Sequence, residues 1–192
     1  ARLMFEGIHP ALAVTAGLGF GLFLGAVNGM IITKVGVNAF IVTLGMLSIG
    51  RGLTVLLATG VKGAVASNIP VTNEAVCFLG GGYIGPVPFS VIEMGLLVSL
   101  AVYFLANTVL GRQIYAVGSN LEAARLSGVN VDRVRIFVYT LTGGLCGFAG
   151  IMSAGLLSTA ATNAGEGSEL DVIAAVVIGG ASLYGGTGTI IG

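Results

Sequence analysis

Apolar residues fall along this chain in runs of membrane length, separated by short polar stretches. A spanning helix needs about 20 mostly apolar residues. The pattern predicts four such helices: 12–33, which carries no charge; 40–58, interrupted by Arg51; 89–110, with Glu93 near its start; and 136–157. A fifth apolar stretch, 170–192, differs in holding Gly179, Gly180, Gly185, Gly186 and Gly188. A straight spanning helix tolerates such a cluster poorly. A short helix, a break and a second helix fit better, with the break packed in protein or lining a cavity. The expected fold is an all-α polytopic membrane bundle, a single transmembrane domain over 1–192, with a broken or re-entrant helix near its C-terminal end.

Two of the predicted spans carry stripes of small residues. Gly17, Gly21, Gly25 and Gly29 recur every fourth position, preceded by Ala13. Residues four apart share a helix face, and a small-xxx-small stripe lets another helix approach closely. A phosphate-binding glycine loop is the alternative, but the run is long and lacks the lysine of a P-loop. In the 136–157 run, Gly143, Gly147, Gly150 and Ala154 form a second such face. Both stripes indicate tight helix packing; neither indicates transport.

Composition agrees with a membrane protein. Hydrophobic residues make up 55% of the chain and charged residues 8%, against about 25% charged in soluble domains. The formal net charge is zero, so there is no electrostatic footprint for nucleic acid. Cys77 and Cys146 form no metal-ligand or redox motif. Cys146, inside an apolar run, is expected as a small buried hydrophobe, and a disulfide to Cys77 is not expected. The chain starts with Ala, shows no secretory signal and ends within an apolar run, so it is expected to be an internal stretch of a longer membrane protein.

One long polar island, 111–135, breaks the apolar pattern with the sequence GRQIYAVGSNLEAARLSGVNVDRVR. It holds Arg112, Arg125, Arg133 and Arg135, half of the 8 basic residues. Basic residues favour cytoplasmic loops. Placing the island inside also puts Lys34 inside, leaving Lys62 and Arg2 outside and 60–88 as an external loop rich in Gly, Asn and Pro. Within the island, Ser119 or Asn120 can cap a helix over 121–127, with Glu122 and Arg125 three apart on one face. Gly128 can end that helix in the left-handed conformation, and Asn130 or Asp132 can cap the next. A helix of two turns is marginal alone in water, so it must dock, either on the membrane surface or in the cleft of a cytoplasmic partner. Residue chemistry alone leaves both open.

The pattern G-R-x-x-x-A-x-G-x-N-x-x-A-A-x-x-S-G-V-N-V at 111–131 resembles the cytoplasmic loop of bacterial ABC importer permeases of the ribose/xylose type. VNAFIVTLGMLSIGRGLTVLLATG at 37–60 and ELDVIAAVVIGGASLYGGTGTIIG at 169–192 resemble the same family. With the linking spans, the resemblance covers essentially the whole chain. It implies that the island carries a coupling helix seated in a groove of a cytoplasmic ABC ATPase subunit. Leu121, Glu122, Ala123, Ala124, Arg125, Ser127, Gly128 and Val129 would form that element: Ala123 and Ala124 allow close approach, Glu122 and Arg125 make polar contacts, and Gly128 sets the turn. It also implies a second permease subunit, a periplasmic sugar-binding protein, and location in the bacterial inner membrane. No cofactor is expected in this chain; ATP and Mg would be bound by the ATPase. The resemblance implies ATP-driven import of a monosaccharide, a pentose or hexose; nucleosides, autoinducers and branched-chain amino acids are alternative solutes, and an ion-coupled secondary transporter or channel is an alternative class.

Other polar residues are candidates for a translocation pathway. Arg51 lies inside a predicted span, roughly 10 Å from its outer end at 1.5 Å per residue. An intramembrane charge is a functional candidate by default, although it can equally snorkel or cap carbonyls. Glu166, Glu169 and Asp171 cluster before the fifth stretch. Ser168-x-x-Asp171 matches a capping box with Asp in place of Glu; the same carboxylates can instead face the outer mouth. Asn28, Asn38, Thr43, Ser158 and Thr162 are further candidates for a polar path. His9, beside Pro10, is taken as incidental. No nucleophile, base and orienting group gather, and no metal-ligand spacing occurs.

Overall fold

The computed structural model describes residues 2–5, 7–59, 68–182 and 185–190. Lys62 lies outside the described residues. After the short helix α1 (Arg2–Phe5), α2 spans Pro10–Met30 and continues through a π-helical turn, Ile31–Val35. Pro10 sits in the first turn, where its missing N–H costs nothing. His9 Nδ1 accepts from the Ala11 N–H at 3.4 Å, so this histidine caps the start of α2 and is not incidental. Gly36, in the left-handed region, ends the π turn. α3 is Ala39–Thr59, opened by Asn38, whose Oδ1 accepts from the Phe40 N–H at 2.9 Å. Two further long helices are α5 (Phe89–Asn107) and α8 (Val131–Leu156). Among the described residues, four helices are long and apolar enough to cross a membrane: Pro10–Val35, Ala39–Ala58, Phe89–Asn107 and Val131–Leu156.

The two glycine stripes meet each other. α2 and α8 run antiparallel, with Gly21 against Gly143 and Gly147, Gly25 against Gly143 and Thr140, and Gly29 against Ile136. A Cβ added at Gly21 would lie 2.5 Å from the Gly143 carbonyl oxygen; one at Gly143 would lie 2.7 Å from Gly25 Cα. Two backbones in contact leave no room for any side chain, which is why both stripes are glycine. Gly150 is not part of this seam: a Cβ there would meet nothing within 4 Å. The helices separate at that level around a cavity of about 200 Å³, lined by Ala13, Gly17, Gly150 and Ala154 among others.

The region expected as an external loop is largely structured. β1 (Asn68–Pro70) pairs antiparallel with β4 (Thr159–Ala161), Ile69 opposite Ala160. α4 (Glu74–Gly81) follows, capped by Asn73, whose Oδ1 accepts from the Ala75 N–H at 3.1 Å. A hairpin, β2 (Tyr83–Ile84) and β3 (Val87–Pro88), leads into α5. α4 rests on the last turns of α8 by another glycine contact: a Cβ at Gly80 would lie 2.7 Å from the Gly155 carbonyl carbon. Ile69, Val71 and Val76 are buried beneath this crown. Cys77 Sγ donates to the Val71 carbonyl at 3.3 Å. Cys77 and Cys146 are both free thiols. Cys146 is exposed on α8, contrary to the expected burial, because no other part of the described chain covers that face.

Three further expectations are corrected. The third span stops at Asn107, where extended Thr108 turns the chain, and Thr108 Oγ1 accepts from the Gly111 N–H to open a separate helix, α6 (Val109–Ser119). α9 (Ser168–Ile178) is preceded by Gly167 at φ 85° and has no side-chain cap, so Ser168 and Asp171 form no capping box. α9 ends with the Gly180 N–H bonded to the Val177 carbonyl and the Ala181 N–H to the Val176 carbonyl, a Schellman termination at left-handed Gly180. No second helix follows among the described residues through 190.

The seam generates a direct contrast. Gly25→Val should destabilise the detergent-extracted protein by about 1–3 kcal/mol, or about 2–12 °C in Tm. Gly19→Val, on the same helix with nothing within 4 Å, should change Tm little. Thermal aggregation followed by size-exclusion fluorescence measures both. Equal shifts would contradict the seam.

Candidate functional site

The polar island folds into a capped helical corner. Asn120 belongs to two helices: its N–H bonds the Ala116 carbonyl at the end of α6, and its Oδ1 accepts from the Ala123 N–H at 2.9 Å. That bond opens α7 (Leu121–Leu126). The end of α7 is a full Schellman motif, with the Gly128 N–H bonded to the Arg125 carbonyl and the Val129 N–H to the Ala124 carbonyl, both at 3.1 Å. Gly128 has φ 81°, strained for any residue with a Cβ. Asn130 Oδ1 then accepts from the Arg133 N–H at 3.1 Å and starts α8. Of the two candidate caps at each end, the structure uses the asparagine.

The island packs inward through Ala124, Val131 and Val134, all buried. Ala124 is therefore unavailable for close approach by a partner, and Ala123 is the alanine on the open side. Leu121 and Val129 are half-buried; Glu122, Arg125, Leu126, Ser127 and Gly128 are exposed. Arg125 pairs with Asp132 at 3.9 Å rather than with Glu122, and a pair this open contributes under about 1 kcal/mol. Leu126, omitted from the expected contact residues, is 89% exposed, the most open large apolar side chain among the described residues.

A second polar site lies at the far end of α3. Arg51 Nη1 meets Glu166 Oε1 at 2.9 Å, and Nη2 meets Glu169 Oε1 at 3.6 Å. The arginine thus neither snorkels alone nor caps carbonyls; it bridges α3 to the entrance of α9. Beside it is a cleft of about 530 Å³ between α3 and residues 161–166, with Arg51, Thr54, Thr162, Asn163 and Glu166 in its wall. Guanidinium, carboxylate, hydroxyl and amide together offer the paired donors and acceptors that polyhydroxylated solutes require. Thr54 and Asn163 were missed by sequence reasoning, since only the β1–β4 pairing brings 161–166 to this level.

The remaining pathway candidates do not converge on the cleft. Asp171 is exposed on α9 outside its wall. Ser158, at φ 50°, accepts from the Val71 N–H through its carbonyl and directs its hydroxyl to Cys77 Sγ at 3.7 Å, a structural role in the crown. Asn38 caps α3, and Thr43 Oγ1 bonds back to the Ala39 carbonyl at 3.0 Å. Asn28 Oδ1 is buried without a hydrogen-bond partner, next to the π turn of α2. The antiparallel seam places Gly29 beside Ile136, so the π turn with Lys34 shares one end of the bundle with α7. The crown of β1, β4 and α4 occupies the opposite end.

The family model described as branched-chain amino acid transport system / permease component matches residues 2–192. The chain belongs to this permease family. It is 44% identical to the ribose import permease protein RbsC of Escherichia coli strain K12 over 96% of its length and 57% of that protein's. It is 41% identical to the fructose import permease protein FrcC of Rhizobium meliloti, over 97% of this chain and 52% of that protein. The ribose import permease protein of Bacillus subtilis strain 168 is 39% identical over 100% of this chain and 58% of its own. The permease chain thus spans rather more than half the length of the relatives it matches. No solved structure matches it.

The permease's island corner makes a local prediction. Gly128→Val forces a left-handed valine at a cost of roughly 1–2 kcal/mol. Amide exchange at 127–129 should accelerate about 5–30-fold at that cost, while amides of the α2–α8 seam exchange as before. Unchanged exchange at 127–129 would show that the corner is not held by its glycine.

Proposed function

We propose that this chain is part of the membrane-spanning permease subunit of an ATP-driven ABC importer in the bacterial inner membrane. Its solute is a monosaccharide, a pentose or hexose, carried from periplasm to cytoplasm by alternating access. The observation that carries the reading is the surface of α7. Its capped helix stands at the basic end of the bundle with Ala123, Arg125 and fully open Leu126 facing away from the chain. An apolar side chain held rigidly on a charged corner suits insertion into a partner's groove. The relatives, ribose and fructose import permeases by name, support the solute class.

In this reading α7 docks in a cytoplasmic ABC ATPase subunit, which binds ATP and Mg and carries out hydrolysis; the permease does no bond chemistry. A second permease subunit completes the pathway, as a homodimer, and a periplasmic binding protein delivers the sugar. Exposed apolar residues on α3 and α5, including Phe40, Leu56, Met94 and Leu96, supply surface for lipid and for that second subunit. Arg51, Thr162, Glu166 and Glu169 line the outer part of the route. Weak solute binding there suffices, since tight binding would slow release.

Sealed vesicles containing the whole transporter test this. Uptake should require ATP and persist when ion gradients are collapsed; uptake that follows an ion gradient without ATP would overturn the reading. Gly128→Val should cut uptake at least tenfold while ATPase and permease still co-purify. Arg51→Ala should lower uptake with little change in Tm, because its ion pairs are solvent-exposed. Exchanging the charges, Arg51→Glu with Glu166→Arg, should recover part of that uptake.

A further inference from the structure

The segment after α9 is seated on the last turn of α6. Tyr115 Oη donates to the Gly188 carbonyl at 3.0 Å, and Ser119 Oγ donates to the Gly186 carbonyl at 3.4 Å. Backbones touch between these bonds. A Cβ at Gly118 would lie 2.7 Å from Gly186 N, and one at Gly185 would lie 2.9 Å from the Gly118 carbonyl oxygen. The seated loop is braced internally, with the Ser182 N–H bonded to the Thr187 carbonyl at 3.0 Å and the Gly185 N–H to the Ser182 carbonyl at 3.1 Å. Direct backbone contact leaves no flexible side chain to absorb a shift.

The position of this seat matters. Ser119 is the last residue of α6, and only Asn120, the cap shared by both helices, separates it from α7. The other end of the same segment holds Glu166 and Glu169 on Arg51. Between them, α9 spans 11 residues, roughly 16 Å at 1.5 Å per residue. A single stretch of chain is thus anchored beside α7 at one end and in the wall of the Arg51 cleft at the other.

We infer that Tyr115, Gly118 and Ser119 are positioning residues: they grip 185–188 so that movement of α7 is passed through α9 to the Arg51 cleft. The inference rests on the reading of α7 as the ATPase-docking helix. The route is contiguous and short, and it bypasses the α2–α8 seam, which stays rigid. Spatial continuity alone does not establish coupling, so the test must read both ends of the path.

Hydrogen exchange on the whole transporter, nucleotide-free and ATP-bound, supplies that reading. In the wild type, exchange at 121–129 and at 185–190 should both change on ATP binding. In Gly118→Val, the change at 121–129 should persist while that at 185–190 is lost, with uptake down at least tenfold and ATP hydrolysis within twofold of wild type. Tyr115→Phe removes one hydrogen bond without crowding and should accelerate exchange at 187–190 about 3–10-fold, which keeps the test open if Gly118→Val fails to assemble. An unaltered response at 185–190 in both variants, with 121–129 still responding, would overturn the link alone. No ATPase-dependent protection of 121–129 in the wild type would instead sink the docking reading, and the link with it.

Discussion

Backbone contact between α2 and α8 is the constraint on which the rest of the structure depends. In lipid there is no hydrophobic drive to bring apolar helices together, so close packing must do it. Gly21, Gly25, Gly29 and Gly143 let the two helices approach until one carbonyl lies where a Cβ would be. The contact is antiparallel, and that single fact sorts the molecule into two ends. Lys34, the π turn and the α7 corner lie at one; the β1–β4 pair and α4 lie at the other. The separation of the charged corner from the Arg51 cleft follows from the seam.

The same device recurs at two further contacts. Gly80 and Gly155 dock α4 on α8, and Gly118 with Gly186 docks the post-α9 loop on α6. Many large apolar residues of α3 and α5, among them Phe40, Leu56, Met94 and Leu96, point away from the described chain, while Phe89 packs on Phe78 and Phe104 on Phe137. The result is a two-helix axis in backbone contact with two attached pieces, the capped corner of α7 and the described residues 166–182 and 185–190. Of the polar side-chain bonds between distant elements, those of Arg51, Tyr115 and Ser119 fall on that segment, while those of Arg2, Ser158 and Thr159 lie elsewhere.

Much of this was legible in the sequence. Membrane-length runs marked all four spans to within a few residues, because lipid imposes a length on them. The glycine stripes announced a helix contact, and they turned out to contact each other, except Gly150, where the helices part around a cavity. The caps of α7 could be read because Asn120, Gly128 and Asn130 act over only a few residues. What failed was long-range. α4 hid inside a loop-like composition, although Asn73 before Glu74 was its cap signal. Arg51's partners lie 115 residues away for Glu166, and β1 and β4 are three-residue strands whose pairing no periodicity reveals. The second half of the broken helix was expected from hydrophobicity, but closely spaced glycines favour a braced loop over a helix.

The proposed docking puts Leu126 on α7 in a groove of an ATP-hydrolysing partner. A photo-crosslinking residue at position 126, in membranes carrying the intact transporter, tests it most directly. A single crosslinked product with the ATPase subunit is expected, absent when the probe is moved to buried Ala124 and altered in yield on ATP binding. Crosslinking at 126 only to lipid or to the permease itself would contradict it.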